Sequence, residues 1–147
     1  ELGGEVIARG NKPNNIPWKI GIDQPLEDSG KRELQVIVAL HNKAMTTSGN
    51  YRQFYVKDGV KYSHTIDPKT GYPVTHSLLS ATVMADECAI ADAYATAFMV
   101  MGMDRSKQFL KENPKLGLDA LLIYANEAGG WETFTTNGIK DLLQEVN

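Results

Sequence analysis

The sequence predicts an α+β fold, mainly an antiparallel sheet with a few packed helices. Alternation of apolar and polar residues recurs at several places, and an Asp-Gly pair joins two aromatic-rich segments as in a hairpin. One long segment in the second half has helical spacing instead. No repeat, low-complexity tract or long linker divides the chain, so we expect a single domain over residues 1–147.

Strands come first in the predicted order of elements. Alternation predicts strands at 5–10, 18–23 and 33–40, and a connector dense in Asn and Pro separates the first two. A hairpin follows at 51–66 with Asp58-Gly59 as its turn. Ahead of that hairpin, Ser48-Gly49 predicts a small-residue loop whose hydroxyl and backbone N–H groups could hold a phosphate or a flat ring.

The second half is predicted to contain the helices. A strand at 78–85 leads to Asp86, a candidate N-cap, and the next helix places Ile90 and Phe98 at helical spacing before Gly102 ends it. The remaining predicted elements are a helix at 104–113 and a closing strand pair at 118–126 and 131–136.

Composition and charge exclude several classes of function. The hydrophobic and charged fractions, 42% and 22%, are those of a globular protein, and the net charge of -3 leaves no basic field for nucleic acid. Cys88 alone cannot form an internal disulfide or a thiolate zinc site. No apolar run approaches the roughly 20 residues of a membrane span. The chain starts as a strand already under way, without Met or a signal peptide, so we interpret it as the later part of a longer protein.

The stretch SHTIDPKTGYPV combines a rigid turn with a histidine. Asp67 and Pro68 suit the first two positions of a type I turn, and Gly71 allows a left-handed exit. His64 is not needed for rigidity. It could act as a general base or acid, with Asp67 orienting it, or it could be a structural residue near a strand end.

The long helix carries an Asp-Thr pair, although Asp is unfavourable inside a helix. Asp92 and Thr96 are four residues apart, so their side chains project from one helical face among many alanines. A carboxylate and a hydroxyl are hard oxygen donors that suit Mg²⁺. The alternative is a solvated Asp beside a Thr that bonds back to the helix. Spacing alone does not decide between them.

Four blocks of this sequence together resemble the FAD:protein FMN transferases, the ApbE family, also labelled thiamine biosynthesis lipoproteins. The blocks are LGGEVIARG with PWKIGIDQP, then TTSGNYRQF, YSHTIDPKTGYPV and CAIADAYATAFMVMG, in the family's order over residues 2–102. The resemblance implies a T-fold-like architecture that is incomplete at its N-terminus. It also implies a location as a periplasmic or outer-surface, membrane-anchored lipoprotein.

The resemblance also implies roles for particular residues. In such proteins the helix Asp and Thr help to hold Mg²⁺, which here means Asp92 and Thr96, and a further ligand is a backbone carbonyl from a half with no match in this chain. His64 corresponds to the implied catalytic base. The residues implied to contact FAD or to shape its pocket are Gly4, Glu5, Thr47, Ser48, Gly49, Asp67 and Thr70.

The implied reaction is Mg²⁺-dependent transfer of FMN from FAD to a Thr or Ser hydroxyl of an acceptor flavoprotein, with release of AMP. Two alternatives stay open at this point: an FAD-binding module without catalysis, and an FAD pyrophosphatase that gives FMN and AMP. As a fragment, the chain alone can lack activity, and strands left without neighbours favour self-association through open edges.

Overall fold

The computed structural model describes residues 1–26, 33–51, 54–57 and 60–146, with the backbone alone for 54–57 and 60–62. In these ranges the strands are β1 (Val6–Ile7), β2 (Trp18–Asp23), β3 (Leu34–Leu40), β4 (Ala44–Gly49), β5 (Phe54–Lys57), β6 (Val60–Ser63), β7 (Leu78–Ala85), β8 (Asp119–Ala125), β9 (Trp131–Thr135) and β10 (Leu143–Gln144). The helices are α1 (Cys88–Met101), α2 (Met103–Glu112) and α3 (Asn137–Lys140), with 3₁₀ turns at Pro13–Asn15 and Pro114–Leu116. None of these helices has the length and apolar content that crossing a bilayer requires.

The described strands pair antiparallel throughout, which confirms the predicted α+β class. The larger sheet has the order β1-β4-β7-β8-β9, and the smaller has the order β10-β3-β2. Strands β5 and β6 form the predicted hairpin, in which Phe54 pairs with Ser63 and Lys57 with Val60. The proposed Asp58-Gly59 turn lies outside the described residues.

Two apolar cores lie on opposite faces of the larger sheet and create a layered molecule. The first fills the space between the two sheets and includes Ile22, Val38, Leu40, Met45, Met84 and Ile123. The second joins the larger sheet to α1 and α2 and includes Leu78, Val83, Phe98, Met99 and Leu122. Full burial of side chains of this size stabilises a fold by about 1.5–3 kcal/mol each, so both faces of the sheet contribute strongly.

The buried face of α1 differs in part from the predicted one. Phe98 is fully buried as expected, but Ile90 is 41% exposed, and Ala91 and Ala95 occupy the buried positions instead. Ala91 packs in one cluster with Ala44 of β4 and Ala85 of β7. Small side chains on both sides allow the helix to lie close to the sheet, which a larger residue would prevent.

The start of α1 also corrects the sequence prediction. Glu87, not Asp86, occupies the N-cap position, and it makes no side-chain capping bond there. The Asp86 carboxylate instead accepts a hydrogen bond from the Lys43 ammonium at 2.6 Å. That bond, and then the charge of Lys43, lower the pKa of Asp86 below its ordinary value of 3.8. Gly102 ends the helix as predicted, with φ of 76° and its N–H bonded to the Phe98 carbonyl.

Thr46 gives a stability prediction. Its hydroxyl is buried, faces α1 from β4, and has no hydrogen-bond partner among the described residues. A buried unsatisfied hydroxyl is costly, so we expect Thr46→Val to stabilise the protein by about 1 kcal/mol in urea unfolding. Thr82→Val is the matched control, because the buried Thr82 hydroxyl bonds that of Thr47 at 2.8 Å. The control should lose stability, and a loss in Thr46→Val as well would contradict the prediction.

Candidate functional site

A cleft of about 620 Å³ lies between β4 of the larger sheet and β2 of the smaller one. This volume is within the usual range for small-molecule sites. We call it the sheet cleft, and the described residues that line it are Glu1, Gly3, Gly4, Val6, Lys19, Ile20, Gly21, Ile22, Asp23, Met45, Thr47, Ser48, Gly49, Tyr51 and His64. Five residues that the resemblance singled out therefore lie together here, although they come from three separate blocks of sequence.

Strand β4 supplies the cleft with its small polar residues. Ser48-Gly49 was predicted as a small-residue loop, but both residues complete β4 and pair with β7, Ser48 with Ala81 and Gly49 with Ser80. Side chains alternate along a strand. Accordingly, the Thr47 hydroxyl bonds Thr82 within the sheet, whereas the next hydroxyl, that of Ser48, lies 3.2 Å from the Thr96 hydroxyl of α1.

Gly49 is needed because Tyr51 occupies the space of its missing side chain. A Cβ at position 49 would lie 2.7 Å from the Tyr51 ring and 3.3 Å from the Leu79 carbonyl oxygen. Tyr51 is buried and lines the same cleft. A larger residue at position 49 would therefore displace the aromatic ring from the cleft wall.

The N-terminal segment forms one side of the cleft, in part with two glycines that have no side chain. Leu2 and Glu5 exchange two backbone hydrogen bonds of 3.0 and 3.1 Å around Gly3 and Gly4. Both glycines have positive φ, 65° and 105°, which favours glycine over other residues. Gly4 lines the cleft, whereas Glu5 lines a separate groove beside α1.

His64 enters the cleft immediately after β6. Its side chain is exposed, and its two neighbours are held in place on either side. The Thr65 N–H donates to the Ser63 hydroxyl at 3.0 Å, and the Val74 N–H donates to the Thr65 carbonyl at 3.0 Å. These bonds fix the backbone that carries the imidazole.

The turn after His64 is closed one residue later than a type I turn would be. The Gly71 N–H donates to the Asp67 carbonyl at 2.8 Å, and Gly71 has φ of 74°, as its predicted left-handed exit requires. The Asp67 carboxylate accepts from the Lys69 N–H at 2.9 Å, and the Thr70 hydroxyl accepts from the Tyr72 N–H at 3.3 Å. The oxygens of Asp67 and Thr70 thus brace the turn, and neither residue lines the sheet cleft.

Asp92 lies outside the sheet cleft, in a groove of about 400 Å³ between α1 and the N-terminal segment. Glu1 lines both spaces, and Glu5, Cys88 and Asp92 line the groove. Thr96, one helical turn beyond Asp92, lines neither space, but its hydroxyl lies 3.2 Å from that of Ser48, which lines the cleft. Asp92 and His64 therefore line different spaces, and Thr96 is the member of the helix pair that contacts the wall of the cleft.

The donors on α1 fit a hard divalent cation. Asp92 and Thr96 are both exposed and offer a carboxylate and a hydroxyl from one face. Among the described residues no group of three or more His, Cys, Asp or Glu side chains surrounds a potential metal position. A partial set of protein oxygens matches Mg²⁺, which usually keeps several waters and binds substrate phosphates.

Sequence reasoning missed four polar residues among those that line the cleft: Glu1, Lys19, Asp23 and Tyr51. Lys19 and Asp23 sit on β2, at alternate positions on either side of Gly21. The available signal was the spacing of these two charged residues, which are four apart and so predicted to lie on one face of the strand. Charged residues on one face mark it as a face that does not enter the core. Tyr51 gave no signal, since its contact with Gly49 depends on the bend after β4.

Fold and site together define an α+β protein with a polar ligand cleft next to a helix that carries hard oxygen donors. Known proteins are similar to this chain in sequence and fold. A protein of Haemophilus influenzae named FAD:protein FMN transferase is 35% identical over 98% of this chain and 40% of its own length. The solved structure of the flavin transferase ApbE from Vibrio cholerae matches 97% of this chain and 43% of its own, with a TM-score of 0.78 and 34% identity. An ApbE protein of Thermotoga maritima matches with a TM-score of 0.78 and 32% identity over 99% of this chain and 44% of its own.

The model of the ApbE family matches residues 1–122. The chain belongs to the ApbE family. It spans about 40% of the length of the curated relatives it matches.

Proposed function

We propose that this chain is the C-terminal part of an FAD:protein FMN transferase and acts as one domain, residues 1–147, within a longer enzyme. The enzyme moves FMN from FAD to a Thr or Ser hydroxyl of an acceptor flavoprotein. The main support is the convergence of Gly4, Thr47, Gly49 and His64 in a single cleft, whose residue Ser48 contacts Thr96 on α1. Family membership and the names of the relatives support the same activity.

The bond changes of this reaction suit the groups that line the sheet cleft. The acceptor hydroxyl oxygen forms a bond to the FMN phosphorus, the phosphorus bond to the bridging oxygen breaks, and AMP leaves with that oxygen. His64 takes the hydroxyl proton, as a general base on a rigid backbone can. Backbone and hydroxyl groups of Gly4, Thr47 and Gly49 position the dinucleotide, since positioning carries much of the catalysis in phosphoryl-type transfer.

Asp92 and Thr96 are the residues that would hold Mg²⁺. When bound, the cation offsets negative charge on the pyrophosphate and on the departing AMP. Asp67 and Thr70 would act at a distance, by keeping the turn that follows His64 in one conformation. Glu5 lines the groove beside Asp92, so its role would be on the cation side rather than in direct contact with the flavin.

The decisive experiment follows flavin and AMP together. The 147-residue chain is tested alone and fused to the part of the Vibrio cholerae relative that it does not match, with FAD, Mg²⁺ and an acceptor domain. We expect the fusion to give a covalently flavinylated acceptor by mass and one AMP per flavin transferred. The chain alone should show little transfer, because more than half of each relative's length has no counterpart here.

Each other outcome identifies a different activity. Release of FMN and AMP without labelled acceptor would establish a pyrophosphatase instead. FAD that is bound by the fusion and recovered intact after prolonged incubation with Mg²⁺ would establish a binding module. Absence of both binding and transfer in the fusion would overturn the proposal.

A further inference from the structure

We propose that Ser48 is a positioning residue for the cation, and that it couples the metal on α1 to the ligand in the sheet cleft. This inference rests on the proposed function, because it takes Asp92 and Thr96 as the metal donors. It changes the part assigned to Ser48, whose sequence block suggested direct contact with FAD.

Side chains alternate along β4, so Ser48 and the preceding Thr47 have different partners. Thr47 and Ser48 are adjacent hydroxyl residues, but Thr47 bonds Thr82 within the sheet and Ser48 lies 3.2 Å from the Thr96 hydroxyl on α1. The Ser48–Thr96 contact joins residues 48 positions apart in the chain. Ser48 also lines the sheet cleft, so a single residue touches both the cation side and the ligand side of the site.

A metal bound by Thr96 would give the Ser48–Thr96 contact a role in orienting the Thr96 hydroxyl. A hydroxyl that binds a cation must point a lone pair at the metal, so its proton needs another acceptor. A helical Thr commonly donates that proton to the carbonyl four residues earlier, which rotates the hydroxyl along the helix. The Ser48 oxygen offers an acceptor on the sheet side and holds the Thr96 oxygen in one orientation. Loss of such an outer partner typically weakens metal binding about 10–100-fold.

The same contact predicts coupling between cation and ligand. Binding of one changes the affinity for the other by an equal factor, whichever binds first. Because Ser48 lines the sheet cleft and its hydroxyl contacts that of Thr96, its removal should weaken cation binding and also reduce the gain in cation affinity that FAD produces.

The test uses Mn²⁺ as the probe for the proposed Mg²⁺ site. Its affinity is measured by electron paramagnetic resonance in both the chain and the fusion, with and without FAD. We expect Ser48→Ala to raise the Kd for Mn²⁺ by about 10-fold or more, and Ser48→Thr, which keeps a hydroxyl, to restore it. Ser77→Ala is the matched control, since that exposed serine lies outside the sheet cleft and the groove. Unfolding temperatures of all variants show whether the strand is intact.

A double-mutant cycle separates positioning from general stability. Thr96→Val removes the partner hydroxyl and keeps its shape, so adding Ser48→Ala to it should cause no further loss of Mn²⁺ affinity. Additive losses, or normal Mn²⁺ binding by Ser48→Ala while Asp92→Asn loses it, would overturn this inference and leave the proposed metal donors in place. Equal Mn²⁺ binding by the parent protein and Asp92→Asn would instead refute the metal assignment itself.

Discussion

Asp92→Asn is expected to reduce Mg²⁺-dependent flavin transfer by about 100-fold or more in the fusion protein. The substitution keeps the size of the side chain but removes the only charge that α1 offers in the Asp92–Thr96 pair. Asn retains one neutral oxygen, so the cation should bind more weakly and need a much higher concentration. Measuring AMP release across a Mg²⁺ titration reports both the maximal rate and the concentration at half effect.

Asp104→Asn is the control for this variant. Asp104 is an exposed aspartate in the first turn of α2 and lines neither the sheet cleft nor the groove. Its titration should match that of the parent protein. If Asp92→Asn gave an unaltered Mg²⁺ curve, the helix pair would have no part in metal binding.

His64→Ala is expected to lower the rate of transfer by about 100- to 10,000-fold, the usual contribution of a general base. The imidazole lies at the cleft on a fixed backbone, and the FAD-positioning residues of β4 come from a separate strand. FAD affinity should therefore change little. Added imidazole should recover part of the rate, because a free base can occupy the space that the side chain vacates.

His41→Ala tests whether the loss is specific to position 64. His41 lies outside the sheet cleft, between β3 and β4, and its ring nitrogens contact Asn11 at 2.6 Å and Asn42 at 2.8 Å. Its variant should retain transfer. A His64→Ala protein that keeps the parent rate, or a rate loss accompanied by an equal loss of FAD affinity, would argue that His64 binds the substrate and moves no proton.

Local patterns predicted those parts of the fold that depend on neighbouring residues. The strand at 78–85 and the end of α1 at Gly102 follow from apolar runs and from glycine's access to positive φ, and both agree with the structure. Asp86 was misassigned as the N-cap: Glu87 occupies that position, and the Asp86 carboxylate accepts a hydrogen bond from the distant Lys43. Such a contact between residues 43 positions apart leaves no local pattern.

The site shows the same division. The individual blocks marked Gly4, Ser48 and His64, but nothing in their spacing indicated that they share one cleft. That arrangement comes from the pairing of β4 with β7 and from the packing of the smaller sheet against the larger one. The prediction of a loop at Ser48-Gly49 was wrong because small polar residues suit both a loop and a strand end, and only the pairing with β7 decides between them.

The alternating faces of β4 also constrain how this family can diverge. An insertion or deletion of one residue inside Ala44–Gly49 would exchange its two faces, since side chains repeat with period two along a strand. The Ser48 hydroxyl would then point away from α1, and Gly49 would no longer lie against the Tyr51 ring. Natural changes in length should therefore accumulate in the connections before and after this strand, while the strand itself changes only by replacement.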